Sequence, residues 1–167
     1  MMIEPGFDEG TAAGPLDTIE RVAASSEFEA QRIDETELHV TLAGSWRDVA
    51  VWFAWREEAQ VLQIGAPLEM KVPAGCRQAV NELLALVNER LWLGHFDHWE
   101  RDHGLIYRNG AVLPAGQAMD ASQAEILLRG ALDAFEKFYP AFNYVVWGGK
   151  SPREALDMCV LETVGTA

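Results

Sequence analysis

The chain has 167 residues, with 13 Lys and Arg against 26 Asp and Glu, a formal net charge of −13, and 49% apolar residues that include six Trp and seven Phe. That length suits one domain, and that hydrophobicity excludes a disordered chain. The negative field repels phosphate, which excludes nucleic acid and anionic membranes as partners and favours a protein or peptide partner of basic character.

Residues 1–14 combine Pro5, Gly6, Gly10 and Gly14 with several acids and read as a flexible N-terminal tail. The tail has neither the basic nor the apolar region of a signal peptide, and no apolar run approaches the length of a membrane span. Residues 15–167 then form the expected single domain. Cys76 and Cys159 stand far apart and outside any Cys-x-x-Cys pattern, as expected of free buried thiols in a reducing cytoplasm.

Pro15 suits the first position of a helix that reaches about Ser25, with Leu16, Ile19, Val22 and Ala23 on one face. From Phe28 the period changes. Leu38, Val40 and Leu42 alternate with His39 and Thr41, which is strand spacing, and Ala43-Gly44-Ser45 reads as a tight connection. A long strand follows, placing Val49, Val51, Phe53 and Trp55 on one face and Trp46, Asp48, Ala50 and Trp52 on the other. After a turn at Glu57-Glu58-Ala59, a third strand near Gln60 to Ala66 completes an antiparallel meander.

Pro73 opens the clearest helix, with Cys76, Ala79, Val80, Leu83, Leu84, Val87 and Leu91 at three- and four-residue steps and Gly94 placed to end it. Strand spacing returns in His95 to Trp99 and Leu105 to Arg108, around a turn at Asp102-His103-Gly104. Asn109-Gly110 reads as a second turn. Phe96 belongs in the core between this helix and the sheet.

Ser122 and Glu125 suggest a capping box for a helix whose stripe is Leu127, Ala131, Ala134, Phe135 and Phe138. Pro140 should kink or restart it, leaving a further helical segment from Ala141 to Trp147 that Gly148-Gly149 stops. Ser151, Pro152 and Glu154 start the last helix, with Leu156, Cys159 and Val160 facing inward. The fold class is α+β, an antiparallel twisted sheet of about five strands with helices packed on it, in the order α-βββ-α-ββ-αα.

Two patterns look like chemistry. Gly148-Gly149-Lys150-Ser151 ends like a phosphate-binding loop, but Tyr144 stands where the first glycine belongs and the segment follows a helix. His95, Asp97, His98 and His103 offer metal ligands. Alternation sends His95 and Asp97 one way and His98 the other, whereas zinc asks for three or four converging groups. No nucleophile elbow, zincin motif or dinucleotide-binding turn is present. The sequence therefore assigns no catalytic residue, no cofactor and no metal. Its unexplained feature is the aromatic second face of the long strand, where Trp46 and Trp52 are candidate partner-binding residues.

The element order, the Asn88…Leu91-x-x-Gly94-x-Phe96 segment, the Ile106-Tyr107-Arg108 strand and the Tyr139-Pro140 helix break resemble the YbjN family of bacterial proteins, described as sensory transduction regulators. The resemblance spans Leu16 to Val164. It implies a fold like that of type III secretion chaperones, which are small, acidic, commonly dimeric and hold a segment of a client protein. It brings no catalytic residue with it. The expected function is a non-enzymatic regulatory or chaperone-like protein-binding module, working as a homodimer. The alternatives are a small-molecule sensor with an apolar pocket and a metal-dependent hydrolase built on His95, Asp97, His98 and His103.

Overall fold

The computed structural model describes residues 14–164, with side chains described to residue 161. The expected tail lies outside the described residues except for Gly14. The elements are α1 (Pro15–Ser25), β1 (Glu29–Arg32), β2 (Glu37–Leu42), β3 (Val49–Arg56), β4 (Val61–Lys71), α2 (Arg77–Asn88), β5 (His95–Trp99), β6 (Gly104–Val112), α3 (Ala121–Val146) and α4 (Pro152–Val164). They form an α+β fold on one antiparallel six-stranded sheet of order β1-β2-β3-β4-β6-β5.

Strand alternation divides the sheet into two unlike faces. Leu38, Val40, Leu42, Val51, Phe53, Leu62, Ile64, Phe96 and Tyr107 point to one side and join helix residues such as Ile19, Val80, Leu83, Phe135, Phe138 and Phe142 in a single core. The helices pack on this face.

The second helix, α2, begins at Arg77 after a 3-10 turn at Ala74–Cys76 rather than at Pro73, and ends at Asn88, so Gly94 does not cap it. Four other local readings differ from the structure. First, β1 adds a sixth strand. It is short, polar and at the edge, where charged residues protect an open ladder from further pairing. Second, β4 runs past Ala66 and through Pro67 to Lys71. Pairing with β3 ends at Gly65 and the register with β6 shifts beyond Pro67, so the missing N–H falls where the ladder is already irregular.

Third, Asn109-Gly110 is not a turn. β6 continues through it, opposite Ile64 and Gln63, because the length of β4 offers ladder partners that a tight turn would forgo. Fourth, α3 does not restart at Pro140 but runs through it as one helix. Its apolar stripe keeps phase across the proline, from Leu127, Ala131 and Phe138 to Ala141, Phe142 and Val145, all buried. A helix-interior proline costs about 3 kcal/mol. Burying Phe142 and Val145 alone gains about 1.5–3 kcal/mol each, which outweighs it.

Two smaller corrections concern the last helices. Asp120, not Ser122, caps α3, because Asp120 has extended backbone and its carboxylate accepts from the Gln123 N–H at 2.8 Å. In α4, Leu156 and Cys159 are buried but Val160 lies 40% exposed, on the outer side of the helix. Ser151 caps α4 as expected, its Oγ accepting from the Glu154 N–H at 3.2 Å. The two cysteines are unbridged, Cys159 buried and Cys76 half-buried.

The Asn88-to-Phe96 segment forms one local device. Asn88, the last residue of α2, donates its Nδ2 to the Phe96 carbonyl at 2.9 Å and accepts from the Phe96 N–H through Oδ1 at 2.8 Å. The side-chain amide thus stands in for a neighbouring strand on the open edge of β5 and ties that strand to α2. Asn88→Ala is expected to lower stability by about 2 kcal/mol, because both backbone groups of Phe96 lose their partner. Urea unfolding followed by circular dichroism measures it, and a loss below about 0.5 kcal/mol would mean that water replaces the amide without cost.

Candidate functional site

The candidate tryptophans fall on opposite sides of the sheet, which corrects the shared face expected for them. Residues 43–48 leave strand geometry before β3 begins at Val49, so alternation does not carry from Trp52 back to Trp46. The Glu136 carboxylate of α3 holds this connection, accepting from the Ser45 N–H and from the Ser45 Oγ at 2.9 Å. Trp46 is 51% exposed, and its ring lies 5.3 Å from that of Tyr139 on α3. The Arg47 guanidinium sits over the rings of Tyr139, Phe135 and Trp46 at 4.9, 5.8 and 5.9 Å, and pairs with Glu69 at 3.2 Å. Trp46 is therefore part of a clasp between this loop and the helix layer.

Trp52 lies on the other face, in the middle of β3. Its register partner is Gly65, and a Cβ on Gly65 would collide with the indole, so the ring lies flat across β4. The same row continues through Arg108 of β6 to His95 of β5, and through His39 of β2 on the other side. One step along, Pro67 pairs with Ile106 and Ile106 with Asp97. Ile106 is 4% exposed yet lies outside the helix-covered core, so side chains of this outer face bury it. Among the described residues, no helix packs on this face.

Grooves flank Trp52. One, of about 340 Å³, runs from Trp52 over Pro67 and Ile106 to Trp99, with Glu69, Lys71 and Asp102 at its margin. The other, of about 310 Å³, lies beside the start of β5, where β6 runs on alone, between Trp52, Gln63, His95 and Arg108. Arg108 joins the two. Its guanidinium lies 5.5 Å from the centre of the Trp99 ring and 3.3 Å from the Asp97 carboxylate.

The histidine cluster divides as alternation expects. His95 and Asp97 face outward, Phe96 and His98 face inward, and His103 sits in the turn with φ +55. Among the described residues, no group of three or more His, Cys, Asp or Glu is placed to hold a metal ion. Burial holds His98 below its ordinary pKa, with the positive Arg77 acting in the same direction, and its Nε2 is buried without a hydrogen-bond partner. Burial pushes the Tyr107 hydroxyl up, against a hydrogen bond from Asn109. Gly148 and Gly149 end α3, Gly149 with φ +63, and the Lys150 N–H returns to the Tyr144 carbonyl at 3.0 Å, so this segment is a helix boundary.

Sequence reasoning missed Trp99, Arg108 and Ile106 as parts of the outer face. A signal existed, since alternation places His95, Asp97 and Trp99 together. Nothing local says that β6 lies between β4 and β5, which is what brings Trp99 to the same surface as Trp52.

The comparisons with known proteins agree with this fold. A crystal structure titled as YbjN, "a putative transcription regulator from E. coli", superimposes with a TM-score of 0.51 at 12% identity, over 72% of this chain and 84% of that one. At that identity the likeness speaks for the fold. No curated protein matches the chain in sequence. Among the described residues, no helix is long and apolar enough to cross a membrane. The YbjN family model, described as "Putative bacterial sensory transduction regulator", matches residues 15–143, most of the chain, and the chain belongs to that family.

Proposed function

We propose that the chain is a non-enzymatic, cytoplasmic regulatory module that holds a segment of a protein partner on the outer face of its sheet, as a chaperone holds a client. The observation that carries this reading is the uncovered face itself. It presents Trp52 between two grooves, next to Trp99 and a floor at Ile106. Large aromatics at the centre of a groove are the side chains that anchor protein contacts. The regulatory description of the family supports the same reading.

The test is binding of short synthetic peptides to the full chain, followed by tryptophan fluorescence. Trp52→Ala is expected to weaken binding at least about tenfold, about 1.4 kcal/mol. Trp46→Ala is expected to leave it unchanged, because that ring belongs to the clasp on the other side. Equal losses in both variants, or a loss in Trp46→Ala alone, would move the site to the helix layer. Sedimentation of the same samples reports whether the chain works as the homodimer that the family resemblance implies.

A further inference from the structure

The groove between Trp52 and Trp99 has a chemistry that narrows its occupant. Its walls are indole rings and its floor is Pro67 and Ile106, a shape for a long aliphatic stem. Two carboxylates stand at the margin. Asp102 accepts only a backbone hydrogen bond, from the Gly104 N–H at 3.0 Å, and has no ion-pair partner among the described residues. Glu69 pairs with Arg47 but is 71% exposed. Lys71 is the opposing charge.

The fold already places arginine on its aromatic rings twice. Arg108 lies over Trp99 beside Asp97, and Arg47 lies over Tyr139 beside Glu69. In each case a carboxylate orients the guanidinium and a ring receives its face. The net charge of −13 also draws positively charged segments towards the molecule and repels acidic ones.

We propose that this groove takes an arginine or lysine side chain from a basic segment of the partner, with the stem between Trp52 and Trp99 and the cationic head at Asp102. This rests on the reading of the outer face as the partner-binding surface and names the partner's chemistry. The recognition is cation–π plus a charge-assisted hydrogen bond, and added salt weakens its long-range part.

The experiment titrates the full chain with matched synthetic peptides, identical but for Arg or Lys, Gln, or Glu at one central position. The Arg and Lys peptides are expected to bind at least about tenfold more tightly than the Glu peptide. Asp102→Asn and Trp99→Ala are expected to reduce that preference. Asp102 is exposed, so its variant tests the idea even if Trp99→Ala fails to fold. Binding that Trp52→Ala abolishes but that shows no preference for charge overturns this inference and leaves the outer-face reading standing. Binding indifferent to Trp52, Trp99 and Asp102 overturns both. So does self-association that buries Trp52 and excludes every peptide, because the occupant is then a second copy of the chain.

Discussion

Phe96→Ala is expected to destabilise the fold by on the order of 3–5 kcal/mol. The side chain is 1% exposed. Its ring centroid lies 5.5 Å from that of Tyr107, 6.1 Å from Phe138 and 5.3 Å from Phe142, so it joins β5 and β6 to the long helix. Those ring pairs add to the area buried and disappear together. The backbone of Phe96 is pinned by Asn88, which keeps the strand from moving in to fill the cavity. Urea unfolding by tryptophan fluorescence and by circular dichroism measures the loss, with coincident transitions as the check on two-state behaviour. A change below about 1 kcal/mol would mean that the site collapses around the smaller side chain.

Gly94→Ala is expected to cost about 3 kcal/mol. Two independent causes add. The backbone there has φ +74, a conformation that costs a residue with a Cβ roughly 1–2 kcal/mol. A Cβ would also run into the Tyr107 hydroxyl and lie 2.7 Å from the ring carbon that bears it. Tyr107 is 1% exposed and cannot step aside, so overpacking adds about 1–3 kcal/mol. A double-mutant cycle with Tyr107→Phe separates the two. Removing the hydroxyl should relieve part of the clash and none of the backbone cost. If Gly94→Ala costs the same in both backgrounds, the hydroxyl has no part in the effect.

These two predictions explain why the Asn88…Gly94-x-Phe96 spacing reads as a family signature. The amide supplies a strand's hydrogen bonds at Phe96, the glycine turns the chain beneath Tyr107, and the phenylalanine fills the space between α2, β6 and α3. Each role needs one residue type at one distance along the chain. The spacing is therefore visible in sequence as a pattern, although its purpose is visible only in three dimensions.

Where sequence reading failed, a non-local partner had overridden a local rule. Glu29 to Arg32 has Ala30 as its one apolar residue, too little for an alternating pattern, so pairing with residues 38–41 of β2 makes it a strand. Asn109-Gly110 has turn chemistry, and β4 extends the strand through it. Pro140 removes a helical donor locally, and the apolar stripe on both sides keeps one continuous helix. The Trp46 assignment failed differently. It extended a period of two across Arg47-Asp48, where Glu136, far along the chain, holds the loop out of strand geometry.

The sequence by itself determined the α+β class, the helices that start at Pro15 and after Ser151, the separation of His98 from His95 and Asp97, and the burial of Phe96. Each follows from periodicity or capping within a few residues, which is physics that acts along the chain. Only the tertiary structure decided which face the helices cover and which they leave open. It put Trp99, Arg108 and Trp52 on one surface through the strand order β3-β4-β6-β5, and moved Trp46 to the other side. The reason is that alternation assigns a side chain to one of two faces within a strand, while strand order and the layer packed against the sheet decide what each face becomes.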